Sequence, residues 1–287
     1  MLLSLLFACG ADADLVELTV DGVGRSYYVH VPAALAPGAP VIFAFHGGGT
    51  HRDHQGRTMP RFTGFDAVAD DRGFVVVYPN SLGGNWNDGR DMGTADDLAF
   101  FDAMRADVLD RTGADPDRMF STGISNGGFF SDRLACERAE VLAGVAIVAA
   151  TEAEGLACAP ARPVPVMLVP GTDDPLVPYG GGGVDGGKRG FCRSADDTFA
   201  DWLARNGCAE AVTETDWKDT RDDHTSVRER SGCRGRAEEV RMLTIEGGGH
   251  TWPGGRQYLP RFVVGRVSHE LSATEEIADF FLDRDPP

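Results

Sequence analysis

The sequence places one serine between two glycines, as Gly123-Ile124-Ser125-Asn126-Gly127. The strand-like run MFSTG, which begins with two apolar residues, leads to this serine, and apolar residues with helical spacing follow it. A tight turn between a strand and a helix exposes the side chain at its tip, and flanking glycines keep bulk away from it. The pattern predicts that Ser125 is a nucleophile, with a helix N-terminus directed at developing negative charge.

A run of glycines supplies a second part for such a site. His46-Gly47-Gly48-Gly49 follows directly on the apolar strand pattern PVIFAF. Glycines let the backbone approach a substrate carbonyl without a Cβ in the way, so that backbone N–H groups can bind an oxyanion. We expect the N–H groups of Gly48 and Asn126 to form this oxyanion hole. The side chain of His46 is expected to make structural hydrogen bonds rather than to act as a base.

An activated serine needs a general base and a carboxylate that orients the base. Asp173 and Asp174 follow the apolar run PVPVMLVP, and His250 follows the run VRMLTIEG. The carboxyl ends of parallel strands meet at one edge of a sheet, where open α/β sheets bind ligands. We therefore predict that His250 takes the proton of Ser125. Asp174, with Asp173 as the alternative, is predicted to orient the imidazole.

Aromatic side chains near these loops are candidates for substrate binding. Trp86 lies in GGNWND, Trp252 comes two residues after His250, and Tyr179 follows the two aspartates. An indole at such a place can stack on an aromatic acyl group or on a sugar ring. Ordinary packing is the alternative for both tryptophans.

Other stretches mimic binding motifs without their full chemistry. The segment 182–188, GGVDGGK, resembles a phosphate loop, but Arg189 stands where a serine or threonine would bind magnesium. We interpret it as a mobile loop near the site. His51 and His54 lack a third metal ligand at a telling spacing, so we expect no metal and no cofactor. The charged stretch 216–230 is interpreted as a solvated surface insertion.

The order of the elements supplies the sheet edge that these residues need. The segments LVELTVDG and RSYYVHVP alternate apolar and polar residues around a glycine turn, which predicts an antiparallel hairpin. Six segments then follow, most of them short and nearly continuous apolar runs, as expected for parallel strands covered on both faces: PVIFAF, FVVVYP, MFSTG, LAGVAIVAA, PVPVMLVP and VRMLTIEG. Helical patterns separate several of them, at 97–109, after Ser125 and at 275–282. We predict an α/β fold with a doubly wound, mostly parallel sheet in a three-layer sandwich.

Four stretches together resemble one protein family. They are GISNGG, YPNSLGGNW, GTDDPLVPY and GGGHTWPGG, and the likeness runs from about Leu18 to Leu282. The chain is similar to the secreted polyhydroxybutyrate depolymerase and feruloyl esterase-related branch of the α/β-hydrolases, which overlaps carbohydrate esterase family 1. This resemblance implies the α/β-hydrolase fold and a Ser-Asp-His triad. It also selects Asp174 as the acid, by its match to D-x-x-V-P.

Cysteine usage is typical of an exported protein. None of the cysteines is spaced as C-x-x-C, which leaves little support for a zinc or thioredoxin-type site. The family resemblance implies disulfides that join Cys136 to Cys158 and Cys208 to Cys233. Cys192 then remains as an odd thiol. Disulfides of this kind are found in oxidising compartments.

The N-terminus resembles an export signal. The run MLLSLLFAC is apolar but too short to span a bilayer. Leu6-Phe7-Ala8-Cys9 resembles a lipobox that would lipidate Cys9, and a plain cleaved signal is the alternative. We expect a signal-like leader at 1–8, a short linker at 9–14 and a single catalytic domain at 15–287. The expected location is extracellular or periplasmic, with a lipid anchor to the cell envelope as one option.

Composition excludes some classes of partner. The 287-residue chain is 42% hydrophobic and carries a formal net charge of −17, which fits a globular protein with an acidic, solvated surface. Nucleic acids and anionic membrane faces both attract basic surfaces. Neither is therefore an expected partner.

The residues and the resemblance together predict a secreted serine esterase that cleaves carboxylic esters through an acyl-enzyme. Feruloyl or acetyl esters of plant polysaccharide such as xylan are the first expected substrates. Polyhydroxyalkanoate oligomers such as those of hydroxybutyrate are the alternative, because both reactions use the same chemistry and specificity depends on loop shape. A third hypothesis is a catalytically silent carbohydrate-binding surface lipoprotein, which the intact triad and glycine loop oppose.

Overall fold

The structure, a computed structural model, describes residues 13–49, 55–208 and 212–283. The predicted leader at 1–8 and Cys9 lie outside these ranges, as do His51 and His54. Within the described ranges, every helix is too short or too polar to cross a bilayer.

Strands and helices alternate along the chain. The strands are β1 (Asp14–Val20), β2 (Val23–His30), β3 (Val41–Phe45), β4 (Val75–Pro79), β5 (Met119–Ile124), β6 (Gly144–Val148), β7 (Val166–Val169), β8 (Gly182–Gly183), β9 (Phe191–Cys192), β10 (Thr213–Asp216), β11 (Ser226–Gly232) and β12 (Val240–Glu246). The α-helices are α1 (Met59–Thr63), α2 (Phe65–Arg72), α3 (Asp97–Thr112), α4 (Asn126–Glu137), α5 (Ala195–Arg205), α6 (Arg261–Val264) and α7 (Ala273–Leu282). Short 3₁₀ turns cover Gln55–Thr58 and Ala139–Val141.

The main sheet is mostly parallel, with antiparallel strands at both edges. Its strand order is β1-β2-β4-β3-β5-β6-β7-β12-β11-β10, and the run from β4 to β12 is parallel throughout. The chain crosses over between β4 and β5, so that helices are placed on both faces. The predicted α/β class and the N-terminal hairpin are confirmed.

Alternate side chains of the buried strands feed two separate cores. In β3, Phe43 packs on one face of the sheet and Ile42 on the other. The first core includes apolar residues of α3, α4 and α5, and the second includes residues of α2 and α7. Helices, sheet and helices therefore form the predicted three layers, which explains why the central strands are buried throughout and mostly apolar.

The charged stretch 216–230 is not simply the solvated insertion that we expected. Residues 226–232 form β11, which pairs along its whole length with β12, and β10 pairs with β11 in turn. Burial alternates along β11, because Val227 and Glu229 face the protein while Arg228 and Arg230 are partly exposed. Part of this stretch therefore extends the sheet.

Two disulfides tie loops to this framework. Cys136 at the end of α4 is bonded to Cys158, and Cys208 after α5 is bonded to Cys233. Cys192 is a buried free thiol. The disulfide pairs are the ones that the family resemblance implies.

Candidate active site

Ser125 occupies a strained turn between β5 and α4. Its backbone angles are φ 56° and ψ −123°, in a region that residues with a side chain rarely adopt. The turn is held from both sides, because Ser125 N–H donates to Val148 O at 2.9 Å and Ser125 O accepts from Phe129 N–H at 2.9 Å. Strain that is maintained by surrounding bonds in this way is typical of a nucleophile elbow.

The glycines beside Ser125 are required by space. A Cβ built on Gly123 would lie 2.5 Å from the carbonyl carbon of Gly127 and 2.8 Å from Phe45 O. A Cβ built on Gly127 would lie 2.5 Å from His46 O. Because these neighbours are backbone atoms, they cannot move aside cheaply. Any side chain at either position would push the elbow away from β3.

The predicted acid and base form a buried pair. His250 Nδ1 lies 2.8 Å from Oδ2 of Asp174, and the two residues are 3% and 8% exposed. The other carboxylate oxygen, Oδ1, accepts the N–H groups of Leu176 and Val177, each at 2.8 Å. Asp173 points its side chain to solvent instead. Asp174 is therefore the carboxylate that contacts the imidazole.

Ser125 and the His250–Asp174 pair share one edge of the sheet. The three residues follow the carboxyl ends of β5, β7 and β12. These strands run parallel in one sheet, so their carboxyl ends lie at the same edge. No hydrogen bond joins Ser125 Oγ to His250 among the bonds between described residues. Bonds of this kind are often long outside the Michaelis complex and tighten when substrate binds.

The glycine loop after β3 lies directly against the elbow. A Cβ built on Gly47 would lie 3.5 Å from the Cβ of Ser125, and one built on Gly48 would lie 3.0 Å from the Cβ of Asn126. Gly49 N–H donates to Asn85 Oδ1 at 3.2 Å. The N–H groups of Gly48 and Asn126 donate to no acceptor in the described part of the chain. Two backbone donors beside the serine are thus left for another acceptor.

The Asn126 side chain locks a neighbouring loop, a contact that sequence reasoning missed. Its Oδ1 accepts the Trp86 N–H at 2.7 Å, while its Nδ2 donates to Trp86 O at 3.0 Å and to Asp88 Oδ2 at 2.6 Å. Asp88 is fully buried and pairs with Arg90. The stretch YPNSLGGNW indicated that a loop lies here. The hydrogen bonds of the Asn126 amide to that loop follow no pattern that can be recognised in the sequence.

The stacking role predicted for Trp86 and Trp252 does not fit their burial. Trp86 is 0% exposed, stacks on Phe130 at 5.5 Å and donates its indole N–H to His46 O at 3.0 Å. Trp252 is 1% exposed and donates its indole N–H to Thr274. Both indole faces are already covered by protein. The alternative of ordinary packing therefore describes the two tryptophans.

His46 has the structural role predicted for it. Its Nδ1 lies 2.8 Å from Gly47 O, and its Nε2 lies 3.2 Å from the N–H of Ser81. The first nitrogen therefore donates and the second accepts, as in a neutral imidazole. Burial lowers the pKa of His46 to about 4, so the ring stays neutral and ties the glycine loop to the loop after β4.

Two tyrosines support the loops that carry Asp174 and His250. Tyr179, predicted to bind substrate, is half-buried and donates its hydroxyl to Asp196 on α5 at 3.0 Å. This bond ties the loop after Asp174 to that helix. Tyr258 donates to the carbonyl of His250 at 3.0 Å. Nothing in the pattern around Tyr258 indicated this contact.

Comparison with known proteins gives the family. No family model matches the chain. NocK of Nocardia uniformis subsp. tsuyamanensis, a protein named as an esterase, is 32% identical over 93% of this chain and 81% of its own length. Feruloyl esterase B of Piromyces equi is 32% identical over 62% of this chain, and the match covers 34% of that longer protein.

The solved structures agree on the fold. An acetyl xylan esterase from Aspergillus awamori matches with a TM-score of 0.62 at 16% identity, and the match covers 95% of this chain and 100% of that one. The extent of the match to NocK, together with the feruloyl esterases among the other relatives, decides the family. The chain belongs to the feruloyl esterase-related esterases of the α/β-hydrolase fold and is a carboxylic ester hydrolase.

Proposed function

We propose that the chain hydrolyses feruloyl or acetyl esters of plant polysaccharide through a triad of Ser125, His250 and Asp174. Relatives named feruloyl esterase and bifunctional acetylxylan esterase/xylanase support this choice of substrates. The fold is the one found in an acetyl xylan esterase. Xylan that carries such side-chain esters is the proposed physiological substrate.

The proposed reaction begins with proton transfer from Ser125. His250 Nε2 accepts the hydroxyl proton while Oγ attacks the ester carbonyl, and the imidazolium then protonates the departing alcohol. An acyl-enzyme remains on Oγ. Water activated by the same imidazole attacks it, releases the carboxylic acid and restores the serine.

Negative charge on the carbonyl oxygen is the main cost of this reaction. The N–H groups of Gly48 and Asn126 are proposed to receive that oxygen, since they lie beside Ser125 and have no acceptor in the described part of the chain. Asn126 also begins α4, whose N-terminus carries partial positive charge. Removal of one such donor typically costs about 10²- to 10³-fold in kcat.

One observation carries the proposed mechanism: the buried hydrogen bond of 2.8 Å between His250 and Asp174, at the sheet edge that also holds the strained Ser125 turn. A buried imidazole that donates to a carboxylate is held in the tautomer that a general base requires. A purely structural role for this histidine would not explain the strained serine turn at the same edge of the sheet.

We further propose that residues 15–287 form a single catalytic domain that works outside the cytoplasm. The two disulfides support an oxidising compartment. Attachment through a lipid on Cys9 remains our proposal for the envelope-bound form, and Cys9 lies outside the described residues.

A panel of substrates tests the proposed function. Purified protein should release ferulate from methyl ferulate and acetate from acetylated xylan, with little turnover of hydroxybutyrate oligomers. Ser125→Ala should keep the fold, by circular dichroism, and lose all of these activities. Preferred turnover of hydroxybutyrate oligomers would overturn the substrate class, and full activity in Ser125→Ala would overturn the mechanism.

A further inference from the structure

A glycine-rich loop, residues 180–192, reaches from the acid to the oxyanion side of the site. Near Asp174, the N–H of Asp185 donates to Leu176 O at 2.8 Å. The loop folds on itself through Val184 N–H to Gly190 O at 3.0 Å and through the short β8–β9 pair. The glycine-rich loop is therefore held by hydrogen bonds beside the candidate site, whereas the sequence predicted only a mobile loop nearby.

Arg189 of the glycine-rich loop lies over the oxyanion loop. A Cβ built on Gly49 would lie 2.8 Å from Nη1 and 3.0 Å from Cζ of Arg189, so the guanidinium rests on the Gly49 backbone. The backbone of Arg189 is held in place because its carbonyl accepts from Nη1 of buried Arg90 at 3.2 Å. The backbone of Arg189 is thus fixed, and its guanidinium lies beside Gly49.

Chain geometry limits the separation between the guanidinium and the proposed nucleophile. Gly49 is two residues from Gly47, a span of at most about 7 Å along an extended chain. The Cβ position of Gly47 is in turn 3.5 Å from the Cβ of Ser125. A substrate whose carbonyl sits at the oxyanion hole would therefore extend its next few atoms within reach of Arg189.

The charge of Arg189 has only a weak partner in the described part of the chain. Its Nε lies 3.8 Å from Oδ2 of Asp185, too far for a hydrogen bond, and its side chain is 35% exposed. A guanidinium stays charged at every physiological pH and presents a planar fork of donors that matches a carboxylate. In a chain of net charge −17, a cation placed at the site opposes the general repulsion of anions.

We propose that Arg189 is a specificity-determining residue that binds a carboxylate carried by the substrate close to the scissile ester. The preferred substrates would then be esters on acidic polysaccharide, in which a uronate group lies beside the esterified position. This inference rests on the proposed function, since it adds a charge preference to the same site.

Two pairs of esters, each with one neutral and one anionic member, measure the preference. The first pair is 4-nitrophenyl hexanoate and the adipate mono-4-nitrophenyl ester, which carries a carboxylate on the acyl side. The second pair is ethyl ferulate and the feruloyl ester of glycolic acid, which carries it on the alcohol side. Arg189→Gln removes the cation. Lys188→Gln is the matched control, because Lys188 is the neighbouring cation on the same loop and its side chain is 79% exposed.

We expect Arg189→Gln to lower kcat/KM for the anionic member of at least one pair about tenfold, with the neutral member changed less than about twofold. Lys188→Gln should leave both members near wild type, and added salt should shrink the wild-type preference. Equal losses for neutral and anionic members would show that Arg189 only supports the oxyanion loop, and would overturn the proposal. No loss in either pair would overturn it as well. If wild-type protein hydrolyses none of the four esters, the proposed function itself fails.

Discussion

At the scale of single residues, the Asp174–His250 hydrogen bond decides which imidazole nitrogen is free to accept another proton. Nδ1 lies 2.8 Å from Oδ2 of Asp174, so its proton is directed to the carboxylate and Nε2 is left to accept another. Asp174 is itself fixed by the backbone N–H groups that bind its Oδ1. The orientation of the His250 imidazole is therefore established by the fold.

Asp174→Asn should lower kcat by roughly 10³- to 10⁴-fold on a 4-nitrophenyl ester, because an amide at this position favours the wrong imidazole tautomer. Asp173→Asn is the matched control, since the Asp173 side chain is exposed. Its kcat should stay within about twofold of wild type, as for most surface substitutions. A large loss in the control with little loss in Asp174→Asn would reverse the two roles.

The residues of the proposed triad could be found in the sequence because each follows a recognisable strand run at a chemically meaningful spacing. Ser125 has its flanking glycines, and His250 lies in a glycine loop. The tryptophans could not be assigned in this way. Whether an indole lines a pocket or fills a core depends on its distant neighbours, such as Phe130 beside Trp86.

At the scale of elements, Asn126 links the elbow to the loop after β4. Its amide makes three hydrogen bonds, two to the backbone of Trp86 and one to Asp88. The amide is needed because it accepts at one atom and donates at the other. The backbone N–H that we propose for the oxyanion hole is therefore positioned by this side chain.

Asn126→Asp should destabilise the protein by about 3 kcal/mol, because a carboxylate would replace the amide that lies 2.6 Å from buried Asp88 Oδ2. Urea unfolding measures this loss. The double variant Asp88→Asn with Asn126→Asp exchanges the two groups and restores one amide–carboxylate pair, so part of the stability should return. A single variant as stable as wild type would contradict the role of this clamp.

Helices and strands could be predicted where the apolar residues repeat with a single period and the whole segment has one kind of burial. The buried parallel strands and the N-terminal hairpin are of this kind. The stretch that contains β10 and β11 was not, because its charged residues resemble a solvated loop while its pairing to β12 depends on a strand far along the chain. Edge strands of this kind have weak sequence signals.

At the scale of the whole molecule, one buried acid links stability to pH. Asp132 on α4 is fully buried, and its Oδ1 accepts the indole N–H of Trp202 at 2.9 Å. Its Oδ2 has no partner in the described part of the chain. Burial, with the nearby charge of Glu152 as a second cause, raises the pKa of Asp132 well above its ordinary value.

The raised pKa makes the folded state hold a proton that the unfolded chain releases above about pH 4. The stability that this proton confers is complete below that pH and is lost as the pH rises through the raised pKa. Asp132→Asn keeps the acceptor for Trp202 without a charge. The Tm of this variant should therefore fall less than that of wild type between pH 5 and pH 9, because the variant has no proton to lose at this position. Parallel Tm profiles for the two proteins would refute the assignment.

The disulfides contribute a second stability effect. Replacement of Cys136 and Cys158 by serine opens a loop whose ends are 22 residues apart, and should lower the free energy of unfolding by roughly 3 kcal/mol. Urea unfolding under oxidising conditions checks the value. Cys192→Ala is the control, since Cys192 forms no disulfide. Equal stability of the double variant and wild type would show that this bond contributes nothing.

The fold as a whole could be predicted because its layers follow from the order of strands and helices. The orientation of the glycine-rich loop could not. Its contact to Gly49 joins segments far apart in the chain, and its glycines carry no side-chain pattern that would indicate it.

Covalent labelling with a fluorophosphonate measures whether His250 makes Ser125 a nucleophile. Mass spectrometry of the digested protein should find the adduct on the peptide that contains Ser125, with none in Ser125→Ala. In His250→Ala the labelling rate should fall by about 10³-fold or more, because the base is lost. An adduct on another residue would show that Ser125 is not the nucleophile, and labelling of His250→Ala at the wild-type rate would show that His250 does not activate it.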